Sequence, residues 1–370
     1  MKKLIVALVI LALSVLGFAV YNNYEDILMY ITNKDWQVTE SIGTVNVSNF
    51  YSVDGTSSNL LVIGNNYITG YSNTSKQTFD EAISVKGVVT ASEGDYCIIG
   101  ETDGTKLYMI NGSKKVWSSE IQGTILGVSV NKNGYSAVIY KQAGYKSLVK
   151  LMDSEGKELF TSYLASTYAV DVEISNDNKT LVIAEINVEG IKVQSVIKII
   201  DVNNVNQENV KKVDLGDDVL VVDVKFNDKN QIVVQTDGDI KIIENRQLNS
   251  FLSFKDLNVN IATIKNDNNA IYISKVDNGL FDSKYVLTIC DYKDGGANKK
   301  EYEMKSLPSM MVTQKKNIVL LVENELLVVN TNGKLVKRVE SVGNIKSIVM
   351  FDNGNSFGLV YRDKIEFLKI

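Results

Sequence analysis

A chain of 370 residues with 45% hydrophobic content has ample apolar mass for a full core, which excludes a disordered polypeptide. A net charge of −5, with both signs interspersed, argues against nucleic acid as a partner, because phosphate binding relies on clustered Lys and Arg. The absence of histidine removes the commonest general base and the commonest zinc and copper ligand. Two cysteines cannot supply a four-thiolate zinc site, so neither a metal nor a cofactor is expected.

Lys2 and Lys3 precede an uncharged apolar run over residues 4–20. A positive start stays cytoplasmic, so the run predicts a transmembrane anchor at 4–21, with a cytoplasmic stub at 1–3 and the remainder exported. Tyr24, Ile27, Leu28 and Ile31 continue at helical spacing, which predicts a juxtamembrane stalk over 22–35. The alternative is secretion after signal cleavage near Ala19. Gly17 and Ala19 are suitably small, but Phe18, Val20 and Tyr21 make a poor cleavage context. No cysteine follows the run, which excludes a lipoprotein.

Residues 36–42 read as a lone strand, and from there the chain repeats. The cleanest copy is 219–254, where four apolar runs are parted by short polar turns. Asp237-Gly238 between two of those runs is a hairpin signal, because Gly adopts positive φ without steric cost. First strands are predicted near Thr44, Lys86, Thr124, Ala169, Val219, Val259, Ser309 and Asn344. This is the blade period of β-propellers. The first turn recurs as an Asn/Asp cluster at 131–134, 176–179, 227–230, 266–269 and 352–355, since Asn and Asp build side-chain-to-backbone turns. The last unit, 344–370, has three strands. Residues 36–42 are predicted to supply its fourth and close a ring that leaves fewer open edges. The fold class is therefore all-β: an eight-bladed propeller of four-stranded antiparallel blades over 36–370, or seven blades if the first unit is irregular. Cys97 falls in a second strand and Cys290 in a third, as buried thiols.

The hairpin joining third and fourth strands reads LYMINGSKKVW at 107–117, LVKLMDSEGKELF at 148–160 and LLVVNTNGKLV at 326–336. This resembles the strand, Asx, Gly-Lys, strand step of the quinoprotein-like and WD40-like eight-bladed propellers. The resemblance implies that Trp117 docks against the next blade and that Trp36 and Trp117 are structural. The whole layout is also similar to an uncharacterised family of clostridial membrane-anchored propeller proteins. The chain departs from the enzymatic quinoproteins: Trp117 alone holds that position, Phe160 or an aliphatic residue replaces it elsewhere, and no cofactor platform is present.

No constellation of catalytic side chains stands out. Asp291-Tyr-Lys-Asp294-Gly-Gly and 352–355 come nearest to a calcium loop, and neither fits its spacing. Residues 100–104 and 123–127 are not phosphate loops, because no helix or Lys-Ser/Thr follows. Between Val276 and Lys284 the second-to-third-strand loop is long and carries Leu280 and Phe281. With Tyr145 in a second long loop, these read as a candidate partner-binding surface, or as side chains folded back on their blades. The expectation is a monomeric, membrane-anchored, extracytoplasmic propeller acting as a non-catalytic platform for a protein or a cell-envelope polymer. The alternatives are an enzyme using axial carboxylates and a ligand or sugar sensor with an axial pocket.

Overall fold

The computed structural model describes residues 41–204, 210–244, 247–277, 283–340 and 342–370. The expected anchor at 4–21, the stalk, Trp36, Leu280 and Phe281 lie outside them. Among the described residues no helix is long and apolar enough to cross a membrane.

The strands form eight four-stranded antiparallel sheets. Seven are continuous in sequence, and we number these blades 1 to 7: residues 50–82, 88–120, 124–164, 168–217, 221–253, 259–304 and 310–339. Blade 8 joins Ser347–Met350, Ser356–Val360 and Lys364–Lys369 to Gly43–Asn46, which arrives from the other end of the sequence. Eight blades, not seven, are thus present. Most first strands begin within three residues of their predicted starts, and Thr44 is the exception. It lies in the closing strand, and blade 1 begins at Phe50–Gly55.

Among the described residues the closing strand is Gly43–Asn46; of the segment predicted to close the ring, 36–42, residues 36–40 lie outside them. Val45 pairs with Ile365, and both Val45 and Val47 pack with Phe351 and Phe367 at the seam with blade 1. Ile42 is 38% exposed and contributes one backbone bond, its N–H donating to the Phe367 carbonyl at 2.9 Å. The apolar alternation packed at this seam is that of Val45 and Val47.

The propeller has no single central core. Its buried residues fall into eight clusters, each at the seam between two neighbouring blades. A blade sandwiched on both faces buries both sides of its middle strands, so these read as continuous apolar runs: Leu60–Gly64, Ile232–Thr236 and Ser356–Val360 are buried throughout.

Polar side chains stitch the seams. Asn131 Oδ1 accepts from the backbone N–H of Asn133 and Tyr135, closing its own turn, while its Nδ2 donates 2.9 Å to the Ser175 carbonyl of blade 4. Asn266 repeats the arrangement towards the Lys315 carbonyl of blade 7 at 2.8 Å. The Asn bias of the first turns thus serves turn and seam together. On the outer strand Lys114–Glu120, Trp117 reaches across to blade 3. Its Nε1–H donates 3.2 Å to the Ser154 carbonyl, and the indole covers Gly156. Gly156 has φ +80°, and a Cβ there would lie 2.8 Å from the ring, so both backbone and packing require glycine. Cys97 and Cys290 are buried free thiols in blades 2 and 6.

Candidate functional site

The first strands are the innermost. Lys225 on blade 5 lies 3.9 Å from Glu93 on blade 2, a distance that non-adjacent blades can reach only across the axis. Lys225 is 19% exposed and pairs at 3.3 Å with Asp267, which Lys315 also contacts at 3.1 Å. Glu173 of blade 4 accepts from the Ser129 hydroxyl at 2.8 Å. The axis therefore does carry clustered carboxylates. The space between Glu93, Glu173, Lys225 and Asp267 is about 10 Å³, at the lower limit for one water. Among the described residues, no group of acidic or thiol side chains could hold a metal ion.

Burial at the axis shapes the titration of these groups. Burial pushes Glu173 up to about 8 from its ordinary 4.5, with Lys225 pulling the other way and Asp171 adding to the rise. Burial and the adjacent Asp223 raise Asp171 as well. Burial opposes the charge on Lys225, but Glu93, Asp267 and Glu173 outweigh it and hold the ammonium above the ordinary lysine value. Burial likewise opposes the Asp267 carboxylate, and Lys225 and Lys315 reverse the balance, so that it stays below its usual range.

The folded protein thus binds more protons than the unfolded chain from about pH 4 to about pH 8. The contribution of these raised groups to stability is complete below that window and is lost as pH rises through the folded values. The lowered carboxyls, Asp267, Asp177, Glu158 and Asp294, are largely ionised in both states by about pH 5.5 and leave the slope above that unchanged. We expect the urea midpoint to fall between about pH 5.5 and about pH 8.5, by on the order of 3 kcal/mol of stability. Glu173→Gln should flatten part of that slope. A midpoint that is level or rises across the range would contradict the assignment.

The mouth of the axis is different in character. In five blades the first strand carries a one-residue bulge near its start, skipping Tyr51, Leu126, Val170, Val222 and Asn260. A bulge leaves its extra residue unpaired and re-aims the side chain. Four of the five are apolar and exposed: Tyr51 48%, Leu126 48%, Val170 41% and Val222 51%. They recur at one register around the ring, at the face that also bears the second-to-third-strand loops. Leu220 is exposed just ahead of Val222.

Of the residues expected to meet a partner, Tyr145 is on this face, partly exposed and tilted against Tyr163 at 5.1 Å between ring centroids. Its neighbour Lys146 pairs with Glu189 at 3.6 Å, tying the long loop of blade 3 to that of blade 4. The blade 4 loop carries exposed Val188 and Ile191. The four bulged residues were not anticipated. Their signal is an apolar doublet opening each first strand: Phe50-Tyr51, Ile125-Leu126, Ala169-Val170 and Val221-Val222. In each doublet the second member breaks the two-residue alternation.

Fold and axis together define an eight-bladed β-propeller with charged side chains meeting at its axis and an apolar mouth. The C-terminal WD40 domain of Sif2 superposes with a TM-score of 0.58 at 14% identity, over 90% of this chain and 99% of that one. Sqt1 of Chaetomium thermophilum, bound to the N-terminus of the ribosomal protein L10, gives 0.55 at 11%, over 90% and 100%. The dihydro-heme d1 dehydrogenase NirN, in complex with DHE, gives 0.52 at 11%, over 89% and 78%. These likenesses are of fold. A family model described as "Family of unknown function (DUF5711)" matches residues 30–370, and the chain belongs to that family. No match was found among curated protein sequences.

Proposed function

We propose that the chain is a non-catalytic binding platform whose partner is a protein, gripped at the apolar mouth of the propeller. The observation that carries this reading is the set of four exposed apolar residues, Tyr51, Leu126, Val170 and Val222, each displayed by a bulge at the same register. A bulge gives up ladder hydrogen bonds, and its repetition with an apolar residue in water is hard to account for by folding alone. Rigid blades holding apolar anchors at the centre, with polar loops at the rim, match the anatomy of a protein interface. A propeller of the same fold, Sqt1, is bound to the N-terminus of a ribosomal protein, which agrees with this class of partner. The uncharged run at 4–20 behind Lys2 and Lys3 supports an anchored, extracytoplasmic setting for the platform. There, confinement to the membrane surface would raise effective concentration.

The test is photocrosslinking in intact cells with a reactive residue at Leu126 or Val222, and a control at Val336 on a fourth strand. We expect one dominant adduct from the mouth positions and none from the control. Leu126→Asp with Val222→Asp should abolish it while changing stability by no more than about 0.5 kcal/mol per site, as exposed substitutions do. Equal adducts from mouth and control, or an adduct indifferent to the aspartates, would defeat the reading. Sodium carbonate extraction bears on the setting, because an anchored chain stays with the membrane pellet.

A further inference from the structure

The face opposite the mouth holds a cleft of about 490 Å³ between blades 6 and 7. That is the size of a small-molecule site. One wall is the connection between the third and fourth strands of blade 6, which runs from Asp291 to Lys300 and includes a single 3₁₀ turn, Tyr292–Asp294. The opposite wall is the turns of blade 7, carrying Lys315, Lys316, Thr331 and Asn332.

The chemistry of the cleft follows from which polar groups are already committed. The Asp291 carboxylate accepts from the Lys293 N–H at 2.8 Å. Asp294 accepts from the Gly296 N–H at 2.9 Å and the Asn298 N–H at 3.2 Å. Those bonds hold Asp294 below its usual range although the loop is exposed. Both carboxylates thus stiffen their own wall and keep their negative charge, which the three lysines lining the cleft, Lys300, Lys315 and Lys316, outnumber. Lys315 is held by Asp267 at 3.1 Å. The ammonium groups of Lys300 and Lys316 have no hydrogen-bond or ion-pair partner among the described residues, and neither do the side chains of Asn268, Thr331 and Asn332. The uncommitted groups facing this space are therefore two cations, two amides and a hydroxyl, in a protein of net charge −5. None of the described lining residues is aromatic, so the site lacks the stacking surface that a nucleobase would use.

We propose that this cleft binds a small anion bearing several hydroxyls, with Lys300 and Lys316 on the anionic group and Asn268, Thr331 and Asn332 on the hydroxyls. An ammonium is a point-charge partner for phosphate or carboxylate, while amides can both donate to and accept from a hydroxyl. The anion is a phosphate ester of a polyol or a sugar carboxylate, two sources of the same chemistry. The site is independent of the apolar mouth, which lies at the other end of the first strands.

Isothermal titration of the full-length chain tests it with four probes: glycerol 3-phosphate, glucuronate, glucose and inorganic phosphate. We expect at least one of the first two to bind about tenfold or more tightly than glucose and inorganic phosphate, and which one binds identifies the source. Lys300→Ala with Lys316→Ala should weaken that binding at least about tenfold, and Lys300→Gln with Lys316→Gln repeats the test with longer neutral side chains. Leu126→Asp at the mouth should leave it unchanged. No binding by either hydroxylated anion overturns the proposal. So does glucose binding equally well, which would remove the role of charge. Inorganic phosphate binding equally well would remove the role of the hydroxyls and also overturn it, as would binding that survives both lysine pairs.

Discussion

Replacing Lys225 with methionine is expected to cost about 3–5 kcal/mol of folding stability near pH 8, the range for removing one partner of a buried ion pair. Lys225 is the cation that spans the axis: Asp267 lies 3.3 Å away, Glu93 3.9 Å, and Glu173 feels its charge. Methionine keeps the stem and its packing and removes only the ammonium. Asp267 keeps Lys315 at 3.1 Å, so the uncompensated burden falls mainly on Glu93 and Glu173. Those two can relieve it by taking up protons, because burial already raises both. The penalty should therefore shrink as pH falls towards about 5, which a simple loss of packing would not do. Urea unfolding at several pH values reads this directly. Lys225→Met combined with Asp267→Asn should lose less than the two single changes added together, since they share one interaction. A single variant within about 1 kcal/mol of the parent near pH 8, or a penalty indifferent to pH, would show that the axial charges are not coupled in this way.

The axial cluster illustrates what was legible in the sequence. AVDVEI at 169–174 and VVDVKF at 221–226 place Asp171, Glu173, Asp223 and Lys225 at alternate positions of first strands. That alternation is readable as one apolar face towards the seam and one polar face elsewhere. Nothing local says that the polar faces of blades 2 and 5 meet. Glu93 and Lys225 are brought together only by closure of eight sheets into a ring, a long-range geometric fact with no local signature. The blades themselves were legible because each is a hairpin-built meander whose turns carry Asn, Asp and Gly at set positions. The bulges were missed because a doublet such as Val221-Val222 looks like ordinary β-branched enrichment until its register is compared between repeats. The off-axis cleft was half visible. The 291–296 segment reads in the sequence as an Asp- and Gly-rich near miss to a calcium loop. The structure adds that Asp294 bonds within its own loop and that the ammonium groups of Lys300 and Lys316 line the same cleft.

Ring closure carries the other large effect. A chain starting at residue 50 lacks Gly43–Asn46, the strand that completes blade 8, and also Val47, which is buried at the seam with blade 1. Its loss leaves the outer edge of Lys364–Lys369 unpaired, and removes cover from Ile365 and Phe367. Buried apolar area is worth about 25 cal/mol per Å². Two valines and a strand's worth of ladder hydrogen bonds together come to on the order of 3–5 kcal/mol. An open edge with adjacent apolar surface also invites edge-to-edge pairing between copies. The expected outcome for the 50–370 chain is a melting temperature lower by several degrees, with soluble oligomers on size exclusion. The chain starting at residue 41 is the reference, because Ser41–Ile370 is one compact unit that retains Gly43–Asn46. Excess synthetic peptide spanning 41–49 should restore both the melting temperature and the monomer of the shorter chain, which separates a missing strand from general damage. If the 50–370 chain melts with the 41–370 chain and remains monomeric, the seam between blades 8 and 1 holds through its first strands alone, and Gly43–Asn46 adds no closure energy.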